Sequence, residues 1–139
     1  MSYLLDTCVI SETSRPRPNE GVLRWLSSVS ACDIYIPAVV FGEMRDGAEE
    51  LADGAKKRML RRWIDEWHAK YADRVVAFDY DCADLWGRIF AQGRIHGRTP
   101  SVVDSQIAAT ALRHGMTLVT RNVRDMADFG VELFNPFDE

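Results

Sequence analysis

Short β-prone runs separated by longer stretches of helical period predict an α/β fold with three α/β/α layers, in which a central, mostly parallel sheet is covered by helices on both faces. Three observations carry that prediction. The apolar runs Tyr3-Leu4-Leu5, Ile34-Tyr35-Ile36, Val75-Val76-Ala77 and Thr117-Leu118-Val119 are each too short for anything but a buried strand. Between successive runs lies enough chain for the helical crossover that a parallel pair requires. The segment from Ala55 to Tyr71 then places Leu60, Trp63, Ile64, Trp67 and Tyr71 at steps of 3, 1, 3 and 4, one apolar stripe of a long amphipathic helix.

The remaining elements follow in order. Pro16, Pro18 and Asn19 end a first loop and start a short helix through Val22, Leu23, Trp25 and Leu26. Pro37 stops the second strand, and Val39, Val40, Phe41, Met44 and Ala48 suit a partly buried helix that carries Glu43. A helix from Asp81 to Ile95 turns Leu85, Trp86, Ile89 and Phe90 inward. The loop Gly93 to Thr99 leads to a helix opened by Asp104, with Ser101 as its N-cap. No repeat, low-complexity stretch or linker divides the chain, so residues 1–139 are expected to form a single domain.

Composition narrows the function. A chain that is 47% hydrophobic and 27% charged has an ordinary globular balance. No apolar run approaches the roughly 18 residues that span a bilayer, and the start lacks a basic leader, so a cytoplasmic protein without membrane contact is expected. Cys8, Cys32 and Cys82 are odd in number and form no C-x-x-C pair, which disfavours a disulfide framework and a zinc site. A net charge of −4 argues against general coating of nucleic acid, but the cations are grouped. Lys56, Lys57, Arg58, Arg61 and Arg62 read as a solvated helix face; Arg94 with Arg98, and Arg121 with Arg124, flank acidic positions where they could meet phosphate.

Those acidic positions are Asp6, Glu43, Asp104 and Asp125. Asp6, Asp104 and Asp125 each lie at a strand exit or a helix start and Glu43 lies on the helix after the second strand, and in parallel α/β sheets the ligand crevice lies outside the carboxyl ends of the strands. If they converge, several carboxylates about 4 Å apart repel by about 4 kcal/mol per pair at an effective dielectric of roughly 20. A divalent cation or a shared proton is then required, and an all-oxygen donor set points to Mg²⁺ or Mn²⁺. Asp46, Glu49 and Glu50 compete with Glu43 on its helix, and Asp128 competes with Asp125, which is nearer the strand exit.

The motifs Leu4-Leu5-Asp6-Thr7-Cys8-Val9-Ile10-Ser11-Glu12, Phe41-Gly42-Glu43-Met44-Arg45-Asp46-Gly47, Asp104-Ser105-Gln106-Ile107-Ala108-Ala109-Thr110-Ala111 and Leu118-Val119-Thr120-Arg121-Asn122-Val123-Arg124-Asp125, closing in Phe134-Asn135-Pro136-Phe137, resemble the PIN-domain ribonucleases. Within them the chain is most similar to the VapC and FitB toxins of type II toxin–antitoxin modules. The resemblance implies a PIN-like domain with endoribonuclease activity, in which Asp6, Glu43, Asp104 and Asp125 are metal-binding and catalytic. Thr7 and Thr120 are implied as supporting hydroxyls, Asn122 as a polar contact near the scissile phosphate, and Arg94, Arg98, Arg121 and Arg124 as RNA contacts. It further implies a structured RNA substrate such as tRNA, a cognate DNA-binding antitoxin in a hetero-oligomer, and a homodimer, for which Val39, Val40, Phe41 and the four tryptophans are candidate interface residues. Cys8 departs from the pattern, which often has Asn there.

Two other classes compete. A receiver or dehalogenase-type phosphotransfer domain also ends its first strand in Asp, but needs a lysine near the C-terminal strands, and the lysines here are Lys56, Lys57 and Lys70. A catalytically silent PIN-like module that binds RNA or a partner would keep the fold without cleavage; metal-dependent cleavage of a defined RNA separates it from a nuclease.

Overall fold

The computed structural model describes residues 1–98 and 101–138. Five parallel strands, β1 (Tyr3–Leu5), β2 (Ile34–Pro37), β3 (Val75–Val76), β4 (Thr117–Val119) and β5 (Leu133–Phe134), form one sheet in the order β3-β2-β1-β4-β5. Seven α-helices connect them among the described residues: α1 (Thr7–Glu12), α2 (Glu20–Ser28), α3 (Ala38–Glu49), α4 (Ala55–Tyr71), α5 (Tyr80–Ile95), α6 (Val102–His114) and α7 (Val123–Met126). The expected α/β class with a parallel sheet is what the chain adopts.

Both faces of the sheet are covered, as the strands themselves show. Successive strand residues point to opposite faces, and Leu4 and Leu5 are both fully buried, as are Leu118 and Val119. Ile34, Ile36, Val40, Ile64 and Ile107 complete the core from strands and helices. Two to four residues per strand suffice because α3, α4 and α6 contribute buried apolar residues over them.

The chain winds from β1 outward to β2 and β3, then returns across the sheet to β4 and β5. Strand order therefore reverses between β1 and β4. At such a reversal the connections leave the sheet in opposite directions and open a crevice at the strands' carboxyl ends. Register fixes what stands there: Leu5 pairs with Val119, the Asp6 amide donates to the Val119 carbonyl at 3.0 Å, and the Thr120 amide donates to Phe134 at 2.9 Å.

Several expectations need correction. The segment read as a first loop contains α1, which Asp6 caps: its carboxylate accepts from the Thr7 amide. β3 stops at Val76, one residue short of the expected strand. The basic run on α4 is not simply solvated, since Lys57 is buried against the Glu49 carbonyl and Asp53, and Arg61 forms a two-nitrogen pair with Glu49. The apolar and aromatic residues named as candidate interface residues largely pack within the chain. Val40 is fully buried, Trp25 meets Tyr3 and Phe134, Trp67 stacks on Tyr71, and Trp86 stacks on Phe90 while donating to Ser105 Oγ at 2.9 Å. Ser101 is the N-cap of α6 as expected, its hydroxyl accepting from the Asp104 amide. Thr99, the end of the expected loop, lies outside the described residues.

Candidate active site

Asp6 leaves β1 directly into the first turn of α1 and is 2% exposed, although it is a carboxylate. Burial of such a group requires hydrogen bonds to both oxygens. Oδ1 accepts from the Thr7 amide at 2.8 Å, and Oδ2 accepts from the Thr120 hydroxyl at 2.7 Å. Thr120 is the first residue after β4, so this bond closes the crevice wall between the two strands at which the order reverses. The Asn122 amide in turn donates to Thr120 Oγ1 at 3.0 Å. Glu43, one turn into α3, accepts from the Thr7 hydroxyl, which ties α3 to α1.

The fourth wall is Asp104, three residues into α6. Its pKa is pushed up from 3.8 to about 6, first by burial, then by the negative charges of Asp6, Glu43 and Asp125. Three carboxylates from three separate segments thus act on one, and Asp128 is not among them. The preference for Asp125 over Asp128 has a structural counterpart: Asp128 pairs with Arg98 at 3.4 Å. Asp46, Glu49 and Glu50, the competitors of Glu43, contribute nothing to that field either, and Glu49 is engaged with Arg61.

Cys8, where Asn was the expected pattern, faces the same carboxylate. Its thiol lies 3.6 Å from Asp6 Oδ2 and 3.7 Å from Thr120 Oγ1, and its sulfur accepts from the Arg121 amide at 3.5 Å. Burial and the Asp6 charge push its pKa up to about 11, so the group stays a neutral thiol that can donate to Asp6.

The four arginines expected at phosphate separate into different surroundings. Arg98 and Arg124 border Asp104 and Asp125 in one cleft. Arg94 lies over the Phe90 ring, 5.2 Å from its centroid. Arg121 stays half exposed while its guanidinium stacks on Phe137 at 3.9 Å and reaches the buried Glu12 at 3.7 Å. Glu12 itself, which the sequence did not single out, is buried and accepts from the Asn19 amide at 2.9 Å, joining α1 to the start of α2. A glutamate just before a Pro- and Arg-rich loop is an ambiguous signal, since nothing in the spacing says it turns inward.

All the converging charged donors are oxygens, which fits a hard divalent cation. Among the described residues no three His, Cys, Asp or Glu side chains already close into a ligand shell. Part of the cost borne by Asp104, after that of burial, is repulsion by the neighbouring carboxylates.

A buried, hydroxyl-supported aspartate at the β1 exit, a glutamate on α3 and an aspartate at the start of α6, on this strand order, define the PIN-domain class, and the chain belongs to that family, whose pattern it matches over residues 3–131. It is 36% identical to toxin FitB of Neisseria gonorrhoeae over 98% of this chain and 99% of that protein, and 29% identical to VapC ribonuclease Y4jK of Sinorhizobium fredii over 97% of each. The solved structure of FitAB bound to a DNA fragment superimposes with a TM-score of 0.90 at 38% identity, covering 97% of this chain and 95% of that one.

Proposed function

We propose that the protein is a metal-dependent endoribonuclease that serves as the toxin of a toxin–antitoxin module, hydrolysing RNA phosphodiester bonds at Asp6, Glu43, Asp104 and Asp125. What supports this reading most is the surroundings of Asp104, whose carboxyl is pushed up first by burial and then by the charges of Asp6, Glu43 and Asp125, three acids distant from it in sequence. A structural role would not assemble unpaired carboxylates; a cation-binding role would. Relatives named as the FitB toxin and a VapC ribonuclease support the class of activity.

Each residue then has a task. Asp6 is held in one orientation by Thr7, Thr120 and Cys8, so its carboxylate enters the site without a rotamer to lose. Glu43 is held through the Thr7 hydroxyl. Asp104 and Asp125 complete the negative pole, and without a cation Asp104 is the acid that takes up a proton to relieve the repulsion. Bound Mg²⁺ or Mn²⁺ would supply charge stabilisation at the phosphate and acidify a coordinated water. Attack by water leaves a 5′-phosphate and a 3′-hydroxyl. Arg98 and Arg124 hold the RNA strand beside the acids, and Asn122 provides a polar contact at the scissile phosphate.

The partners follow from the same reading. A small DNA-binding antitoxin, as the FitAB complex on DNA suggests, would lay a basic side chain against Asp6 or Asp104 and compete with the cation. The protein is read as a cytoplasmic homodimer that forms a hetero-oligomer with this antitoxin; Ile95 and Val102 are among the exposed apolar residues available for pairing. Among the described residues no helix is long and apolar enough to cross a membrane. Incubation of purified protein with structured RNAs such as tRNA, with Mg²⁺ or with chelator, tests the function. Cleavage confined to the Mg²⁺ lane is expected, whereas RNA binding without cleavage would favour the silent module.

A further inference from the structure

A cleft of about 790 Å³ opens between α5 and the turn that follows α7, with Asp104 and Asp125 among the residues that line it. We propose that this cleft is a subsite for one unpaired ribonucleotide flanking the bond that is cut, its base lying between Ile89 and Phe129 and its polar edge read by Gln92. The inference rests on the ribonuclease reading above.

Location comes first. A phosphodiester seated at Asp104 and Asp125 must carry a nucleoside on each side, and the cleft that shares those two residues is the adjoining space. Its volume falls within the roughly 300–1,000 Å³ typical of small-molecule pockets, which suits one nucleotide.

The chemistry of the walls agrees. Arg88 and Gln92 on α5 and His96, the residue that caps its end, recur at every fourth position and line the cleft together, with Ile89 beside them. Ile89 and Phe129 are half-buried, leaving part of an aliphatic and an aromatic surface open to the cleft. Proteins read single-stranded RNA by stacking splayed bases on such surfaces and hydrogen-bonding their edges. Among the described residues the Gln92 amide, able to donate and accept, has no hydrogen-bond partner, and neither has the Arg124 guanidinium beside Asp125. These are groups without an internal task, at the place where a base edge and a phosphate would arrive. Arg88 and Arg98, though paired with Asp84 and Asp128, stay exposed and add positive charge to a protein that is negative overall.

The test measures binding and cleavage separately. Single-stranded RNA 12-mers that differ in one nucleotide beside the cleaved bond are titrated in Ca²⁺ against wild type, Gln92→Ala and Phe129→Leu; sequencing of the RNA ends produced in Mg²⁺ supplies the second readout. Gln92 is exposed, so its variant folds even if Phe129→Leu does not. The subsite predicts that wild type prefers one base there and that Gln92→Ala reduces the preference about tenfold, in binding and in cleaved ends alike, as expected from one lost base contact. Equal profiles for wild type and Gln92→Ala would overturn it. So would a loss confined to binding of a protein partner, which would make the cleft a protein-docking surface. Base-selective binding without cleavage in Mg²⁺ would refute the nuclease reading and leave the subsite standing.

Discussion

Replacing Asp104 by Asn should abolish cleavage and stabilise the metal-free fold above neutral pH. A carboxylate whose folded-state pKa is raised contributes stability that is fully present below its unfolded value of 3.8 and is lost as pH rises through about 6. Above that pH the ionised Asp104 is a liability. A rise of about two units corresponds to about 3 kcal/mol, and water at this half-buried group screens it to about 1–1.5 kcal/mol. The variant should therefore melt about 3–6 °C higher than wild type near pH 8 in chelator, and the gap should close near pH 4. Circular dichroism melts in EDTA at both pH values measure this, with added Mg²⁺ narrowing the gap. A variant that melts lower than wild type near pH 8 would refute the repulsion argument and make Asp104 a structural residue.

Three further outcomes are expected. Thr120→Val removes the hydroxyl that holds Asp6 and accepts from Asn122; stability should drop by about 1–2 kcal/mol in urea titration, and cleavage rate or metal affinity at least tenfold, the cost usual for groups that orient metal ligands. Cys8→Ala should slow cleavage several-fold while Cys8→Ser or Cys8→Asn retains it, as measured by kcat at saturating Mg²⁺, because only the latter keep a donor toward Asp6. Arg98→Ala should lower the salt slope of RNA binding by about one phosphate contact, whereas Arg121→Ala should leave the slope intact and destabilise the fold by about 0.5–1 kcal/mol, since its guanidinium is engaged with Phe137 and Glu12.

The contrast between those two arginines shows how much was legible in the sequence. The sheet class followed from apolar runs too short to be anything else, and the long helix from its stripe, because burial imposes a period that the chain must display. Asp6 and Asp125 stood out as candidates because apolar runs stop just before them, whereas Glu43, inside α3, stood out only through its motif. α1 was not, since six residues give too few turns for a period and its cap, Asp6, was already read as a site residue. β5 escaped for a similar reason: Leu133–Phe134 is only two residues, held by pairing with β4 that sequence does not reveal. Arg121 was placed along the chain, but its stacking on Phe137, sixteen positions away, gave no signal in the sequence. Gln92 gave no signal at all; an uncharged amide on an amphipathic helix is informative only once the cleft beside it is seen.

The most direct test of the acidic site is calorimetric titration of Mn²⁺ alongside RNA cleavage for wild type and for Asp6→Asn, Glu43→Gln, Asp104→Asn and Asp125→Asn. The account predicts that each substitution weakens Mn²⁺ binding and that cleavage by wild type disappears in EDTA and returns with Mg²⁺ or Mn²⁺. Full cleavage in EDTA, or wild-type Mn²⁺ affinity in all four variants, would contradict it.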